Sequence, residues 1–168
     1  MKTTTSGDSF VHEVEVSRST ERLSAEPDDA QVAFWLEFVL DRLDHQLSEV
    51  SVRIVGEEEI ASLNAQYRGL EKVTNVLSFP AAVSVEQVEF LGDIVICSQV
   101  VKLESDLYGK YFEDRYAHML IHGLLHLLGY DHLDDVARAR MEQLETDLLS
   151  SLNTVSYTHL TLPTIYSV

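Results

Sequence analysis

One cysteine, Cys97, among 168 residues leaves no partner for an intrachain disulfide, which excludes the disulfide-stapled secreted folds. It lies in an apolar run and reads as a small buried residue rather than a nucleophile. The expected setting is a reducing cytoplasm. Long apolar runs are missing as well. None reaches the roughly 20 residues of a membrane span, and Met1-Lys2-Thr3-Thr4-Thr5 is not followed by the apolar core of a signal peptide. Basic residues are scarce, 12 Lys and Arg against 28 Asp and Glu, for a net charge of −16. Such a balance disfavours a protein that holds nucleic acid by blanket phosphate neutralisation. What remains is an ordinary globular composition, 45% hydrophobic and 24% charged, long enough for one domain with a sizeable core.

Against this background, His122-Gly123-Leu124-Leu125-His126-Leu127-Leu128-Gly129-Tyr130-Asp131-His132 stands out, with three of the seven histidines in one short segment. Residues four apart lie one above the other on a helical face, so His122 and His126 can aim at one point. Met119, Leu120, Leu124, Leu127 and Leu128 would hold that helix on a core. Gly129 can end it in the left-handed conformation, and the reversed chain can return His132 to the same point. Three nitrogen ligands with a fourth position left to water form the arrangement of a catalytic zinc site. Asp131 could orient a ligand imidazole from behind. His118 continues the ladder one turn earlier. It is either a ligand in place of His132 or a hydrogen-bonding residue behind the ligands. Helix rotation carries it about 80° from His126, which favours the second role.

A glutamate is also missing. Metalloproteases of the His-Glu-x-x-His type place their general base directly after the first histidine, and here that position is Gly123. Peptide hydrolysis is therefore disfavoured. Three neutral imidazoles leave the full charge on a divalent metal, which suits an anionic substrate such as a phosphodiester and can bring the pKa of a bound water to about 7.

The remaining pattern alternates strands and helices. Residues 10–16 read as a strand with outward carboxylates, at an edge of a sheet. Residues 28–47 read as an amphipathic helix with Val32, Trp35, Leu36, Val39, Leu40, Leu43 and Leu47 on its apolar stripe. Strands are expected at 49–55, 75–79 and 93–97, and helices at 57–67, 99–107, 113–128 and 134–149. The last helix would bury Ala137, Met141, Leu144 and Leu148. The fold class is α+β: a single domain at 10–150, with a small mixed sheet covered by helices and a three-histidine metal site at the end of a core helix. Residues 1–9 are expected to be a flexible N-terminus.

Three further blocks accompany the histidines: Asn64-Ala65-Gln66-Tyr67-Arg68-Gly69, Thr74-Asn75-Val76-Leu77-Ser78-Phe79-Pro80 and Leu91-Gly92-Asp93-Ile94-Val95-Ile96-Cys97. In this order, and in register over about residues 50–149, the chain resembles the YbeY family, bacterial endoribonucleases that act in ribosomal RNA maturation. The resemblance implies His122, His126 and His132 as ligands of one zinc ion per chain, and Arg68 as a catalytic residue. It also implies a single-strand-specific endoribonuclease acting in maturation of the 3′ end of 16S ribosomal RNA and in ribosome quality control. Its partners would be single-stranded or ribosomal RNA and the ribosome or its proteins. Asn75 and Ser78 could line the cleft, although ending a strand before Pro80 explains them equally well. Residues 63–80 carry Arg68 and Lys72 against Glu71 alone, and are expected beside the metal as a local source of positive potential. Two other classes stay open: a metal-dependent hydrolase or peptidase of another substrate, and a non-catalytic ribosome-assembly factor with a structural metal.

From Ser151 onward the chain has no Asp, Glu, Lys or Arg. Val155-Ser156-Tyr157-Thr158-His159-Leu160-Thr161-Leu162-Pro163-Thr164 resembles a translated sequencing-adapter fragment, so residues 151–168 are read as an atypical tail and an artefact, and His159 is kept out of the site. Deleting residues 155–168 is expected to leave folding and metal content intact. A large fall in the thermal unfolding midpoint would show instead that the tail belongs to the fold.

Overall fold

Alternating apolar periodicity sorts the chain into nine elements in a computed structural model that describes residues 12–160. They are β1 (Glu13–Arg18), α1 (Asp29–Arg42), β2 (Ser48–Val55), α2 (Glu57–Arg68), β3 (Val76–Val85), β4 (Val88–Cys97), α3 (Ser98–Tyr108), α4 (Phe112–Leu127) and α5 (Asp135–Leu160). The sheet runs β1-β2-β4-β3. β1 and β2 are parallel, as are β2 and β4, while β3 pairs antiparallel with β4. This is the expected α+β domain with a mixed sheet and helices on it. The expected flexible segment at 1–9 and the start of the first strand at 10–11 lie outside the described residues, as does the tail beyond 160.

Each face of the sheet has its own core. On one face Val50, Val52, Ile54, Ile94 and Ile96 meet α1, α4 and α5. On the other, Val55, Leu77, Val95 and Cys97 meet Ile60 of α2. Period-two alternation therefore assigns successive residues of β2 and β4 to opposite cores. Cys97 is fully buried, and burial pushes its thiol up, as suits an inert packing residue.

Several boundaries differ from the sequence expectation. The first helix stops at Arg42 rather than reaching residue 47, because Asp44 takes a left-handed φ of 57° and His45 N–H turns back to the Leu40 carbonyl. Asp28 caps its start by accepting from Gln31 N–H at 2.8 Å. Two strands expected to be short form a ten-residue hairpin pair, β3 and β4. Pro80 is tolerated inside β3 because that strand is the sheet edge and needs no ladder donor there. The last helix runs on to Leu160 instead of ending at residue 149, and Leu152 is buried in the core.

Gly92 makes the hairpin fit the core. Leu91 packs in the same core as Ile94 and Ile96, which strict alternation forbids. The register therefore slips at this point, with Phe90 opposite Glu49 and Gly92 opposite Val50, and Gly92 absorbs the bulge at φ +132°. A Cβ there would lie 2.2 Å from the Phe79 carbonyl oxygen. Gly92→Ala combines left-handed strain with a backbone clash and is expected to cost about 2–6 kcal/mol, measurable by chemical denaturation. An unchanged midpoint would mean the bulge is not required.

Candidate metal centre

α4 is buried on nearly every side. Tyr116, Leu120, Ile121, Leu124 and Leu125 are inaccessible to solvent. The half-buried stripe His118, His122 and His126 is its main opening. One flank is pressed on the sheet at Gly123, where an added Cβ would stand 3.0 Å from Ile94 Cγ2, 3.2 Å from Ser78 Oγ and 3.3 Å from Val76 Cγ2. Ser78 Oγ donates to the Gly123 carbonyl at 2.8 Å. The position where a metallopeptidase has its glutamate thus faces the sheet and not the solvent. At its end the helix unwinds as expected. Gly129 takes φ +101°, and Tyr130 N–H bonds the Leu125 carbonyl at 3.0 Å, which returns the chain toward the histidine stripe.

This reversal gathers the three histidines. One nitrogen from each of His122, His126 and His132 lies within 4.8 Å of the others. His122 and His126 rings stand at 80°, with centroids 4.6 Å apart, and His132 lies 5.0 Å from His126. The Nε2 atoms of His122 and His126 are 3.2 Å apart. Two nitrogens each 2.0–2.1 Å from a tetrahedral metal ion stand roughly 3.3–3.4 Å apart, so these imidazoles fit a shared ion. Burial, with His122 and His132 close by, pushes the His126 pKa down, which keeps its lone pair available. His132 is exposed, leaving one side of the centre open.

The carboxylate behind the histidine trio is Glu145 of α5, a residue the sequence reading missed. Its Oε2 accepts from His122 Nδ1 at 2.6 Å and its Oε1 accepts from His118 Nε2 at 2.9 Å. Burial alone would raise its pKa, but the hydrogen bonds from His118 and His122 overcome that and hold it at about 2. His118 shares Glu145 with His122 and lies outside the group of three converging histidines. Asp131, expected to orient an imidazole, instead accepts from Leu133 N–H at 3.2 Å and shapes the turn. A signal for Glu145 was present in the pattern: Met141, Glu145, Leu148 and Leu152 form the buried stripe of α5, and a carboxylate in such a stripe needs a partner.

The other candidates sit apart from the histidine cluster. Asn75 donates to Glu104, at 3.1 Å from each carboxylate oxygen, and Arg115 of α4 binds the same carboxylate at 3.0 Å. Asn75 thereby ties the start of β3 to α3 and α4. The β3 end of segment 63–80 lies against the histidine helix through Val76 and Ser78. Arg68 closes α2, the helix on the opposite face of the sheet, and is exposed. Among the described residues no hydrogen bond or ion pair joins Arg68 to the histidines. Its neighbour Tyr67 stacks edge-on against Phe79 of β3 at 4.9 Å.

The family model described as Endoribonuclease YbeY matches residues 13–153. The solution structure of TM1509 from Thermotoga maritima is similar, with a TM-score of 0.60 and 25% sequence identity, over 87% of this chain and 93% of that one.

Writing the peptidase glutamate into the helix tests the packing. Gly123→Glu would bury an unpaired charge against Ile94 and Val76 and should destabilise by about 3–5 kcal/mol, read from denaturant unfolding, without gain of peptidase activity. A stable Gly123→Glu protein would show that α4 is less tightly seated than its contacts indicate.

Proposed function

The chain belongs to the YbeY endoribonuclease family, and from that premise we propose that it is a zinc-dependent, single-strand-specific endoribonuclease. Its proposed work is maturation of the 3′ end of 16S ribosomal RNA and ribosome quality control in the cytoplasm. The observation that carries this reading is the gathering of His122, His126 and His132 nitrogens within 4.8 Å, on a helix whose residue 123 cannot supply a peptidase base. Among the described residues no helix is long and apolar enough to cross a membrane.

His122, His126 and His132 would hold the zinc ion, a ligand set of the kind zinc takes in catalytic sites. A zinc ion bound there supplies Lewis acidity toward a phosphoryl oxygen and an acidified water. The chain itself contributes the rest. Arg68, exposed at the end of α2, would bind the phosphate through paired guanidinium hydrogen bonds and stabilise its developing charge. Lys72, four residues on and also exposed, would add to the local positive potential. The exposed side at His132 leaves room for a strand of RNA. Exposure of a ligand also argues against the non-catalytic assembly factor, since structural zinc sites are closed by four protein ligands. With so acidic a chain, ribosomal proteins would help to deliver the RNA.

Zinc content and cleavage of a single-stranded RNA, measured together, test this. His126→Ala should lose both. Arg68→Ala should keep its zinc and cleave about 10²–10³-fold more slowly. A DNA strand of the same sequence separates attack by water from attack by the 2′-hydroxyl, because only the first survives. Cleavage at the wild-type rate by zinc-free His126→Ala would sink the proposal.

A further inference from the structure

We propose that Glu145 is a positioning residue that commits His122 to ligation through Nε2, and that it thereby makes the C-terminal helix α5 part of the metal centre. The inference deepens the proposed function and rests on the metal reading of the three histidines. A carboxylate can only accept hydrogen bonds. The 2.6 Å contact from His122 Nδ1 to Glu145 Oε2 therefore requires the proton on Nδ1. The lone pair is left on Nε2, the atom that stands 3.2 Å from His126 Nε2. Without that partner the imidazole is free to carry its proton on Nε2, which would direct an N–H at the ion and weaken ligation.

The second oxygen of Glu145 fixes the first. Its Oε1 is held by His118 Nε2 at 2.9 Å, so the carboxylate bridges two histidines one helical turn apart and cannot rotate away from His122. This explains a buried carboxylate in the apolar stripe of α5, between Met141 and Leu148. It also explains His118, which continues the histidine ladder but is outside the ligand set. Ligand and support come from different elements, α4 and α5. Ion binding and docking of α5 on α4 are then linked, since whatever binds only the docked state stabilises it.

The experiment is imidazole nitrogen NMR on the full-length, metal-free protein at mildly alkaline pH, with zinc affinity measured by chelator competition. Wild type should show His122 with its proton on Nδ1. Glu145→Ala should shift His122 toward the Nε2-protonated tautomer and weaken zinc binding by about 10–100-fold. Glu145→Gln, whose single oxygen can accept from His122 when its amide turns to donate to His118, should restore part of the tautomer preference and of the affinity. Zinc should slow amide exchange along α5 in wild type and not in Glu145→Ala. A residue that merely packs α5 would lower stability and leave the tautomer unmoved. An Nε2-protonated His122 in a zinc-binding wild type would overturn the role of Glu145, as would Glu145→Ala with unchanged tautomer and affinity. A wild type that shows the Nδ1 proton and binds no metal would overturn the metal reading instead.

Discussion

The close seating of α4 on the sheet at Gly123 is the constraint on which the site depends. Glycine in a helix interior costs about 1 kcal/mol relative to alanine. Burying a large apolar side chain contributes about 1.5–3 kcal/mol, and α4 buries Leu120, Ile121, Leu124 and Leu125 completely. Packing wins by a wide margin, so the glycine is retained and the helix is pinned. The Ser78 hydroxyl on the Gly123 carbonyl adds a polar tie at the same place. With one flank held by the sheet and the histidine stripe faced by α5, His122 and His126 have little freedom to misdirect their nitrogens. That is the condition under which a metal centre keeps its geometry without an ion to organise it.

The parts of the site that were legible in the sequence are those set by local geometry. The four-residue spacing of His122 and His126 and the glycine before His132 define a converging trio whatever surrounds it. Glu145 was not legible in the same way, because its role depends on which helix packs against which. From the sequence it is one of 28 acidic residues, and only its place in the buried stripe of α5 sets it apart. Asp131 drew attention by lying beside His132, but sequence adjacency placed it in a turn with Leu133 rather than behind a ring. The fold shows the same division. The helices follow from their apolar stripes. The β3–β4 hairpin did not, since Pro80 reads as a strand end unless the strand is known to be at an edge, and the bulge at Gly92 breaks the alternation that marks a strand. At the C-terminus, the loss of charged residues after residue 150 read as the end of the domain. The apolar stripe nevertheless runs on to Leu152, and the helix continues with it.

A net charge of −16 opposes the approach of a substrate made of phosphates, but the range of the interaction limits the effect. At physiological ionic strength the screening length is about 8 Å, so carboxylates spread over the far surface are weakly felt at the metal centre. What counts is the charge within that distance. Among the described residues Glu145 is the carboxylate hydrogen-bonded to the histidine stripe, and its charge is shared between His118 and His122. A divalent ion on three neutral imidazoles would keep its charge. Under the proposed function the acidic exterior would act on encounter rather than on chemistry: it would weaken indiscriminate attachment to RNA and leave binding to strands that reach a cation held by the three histidines.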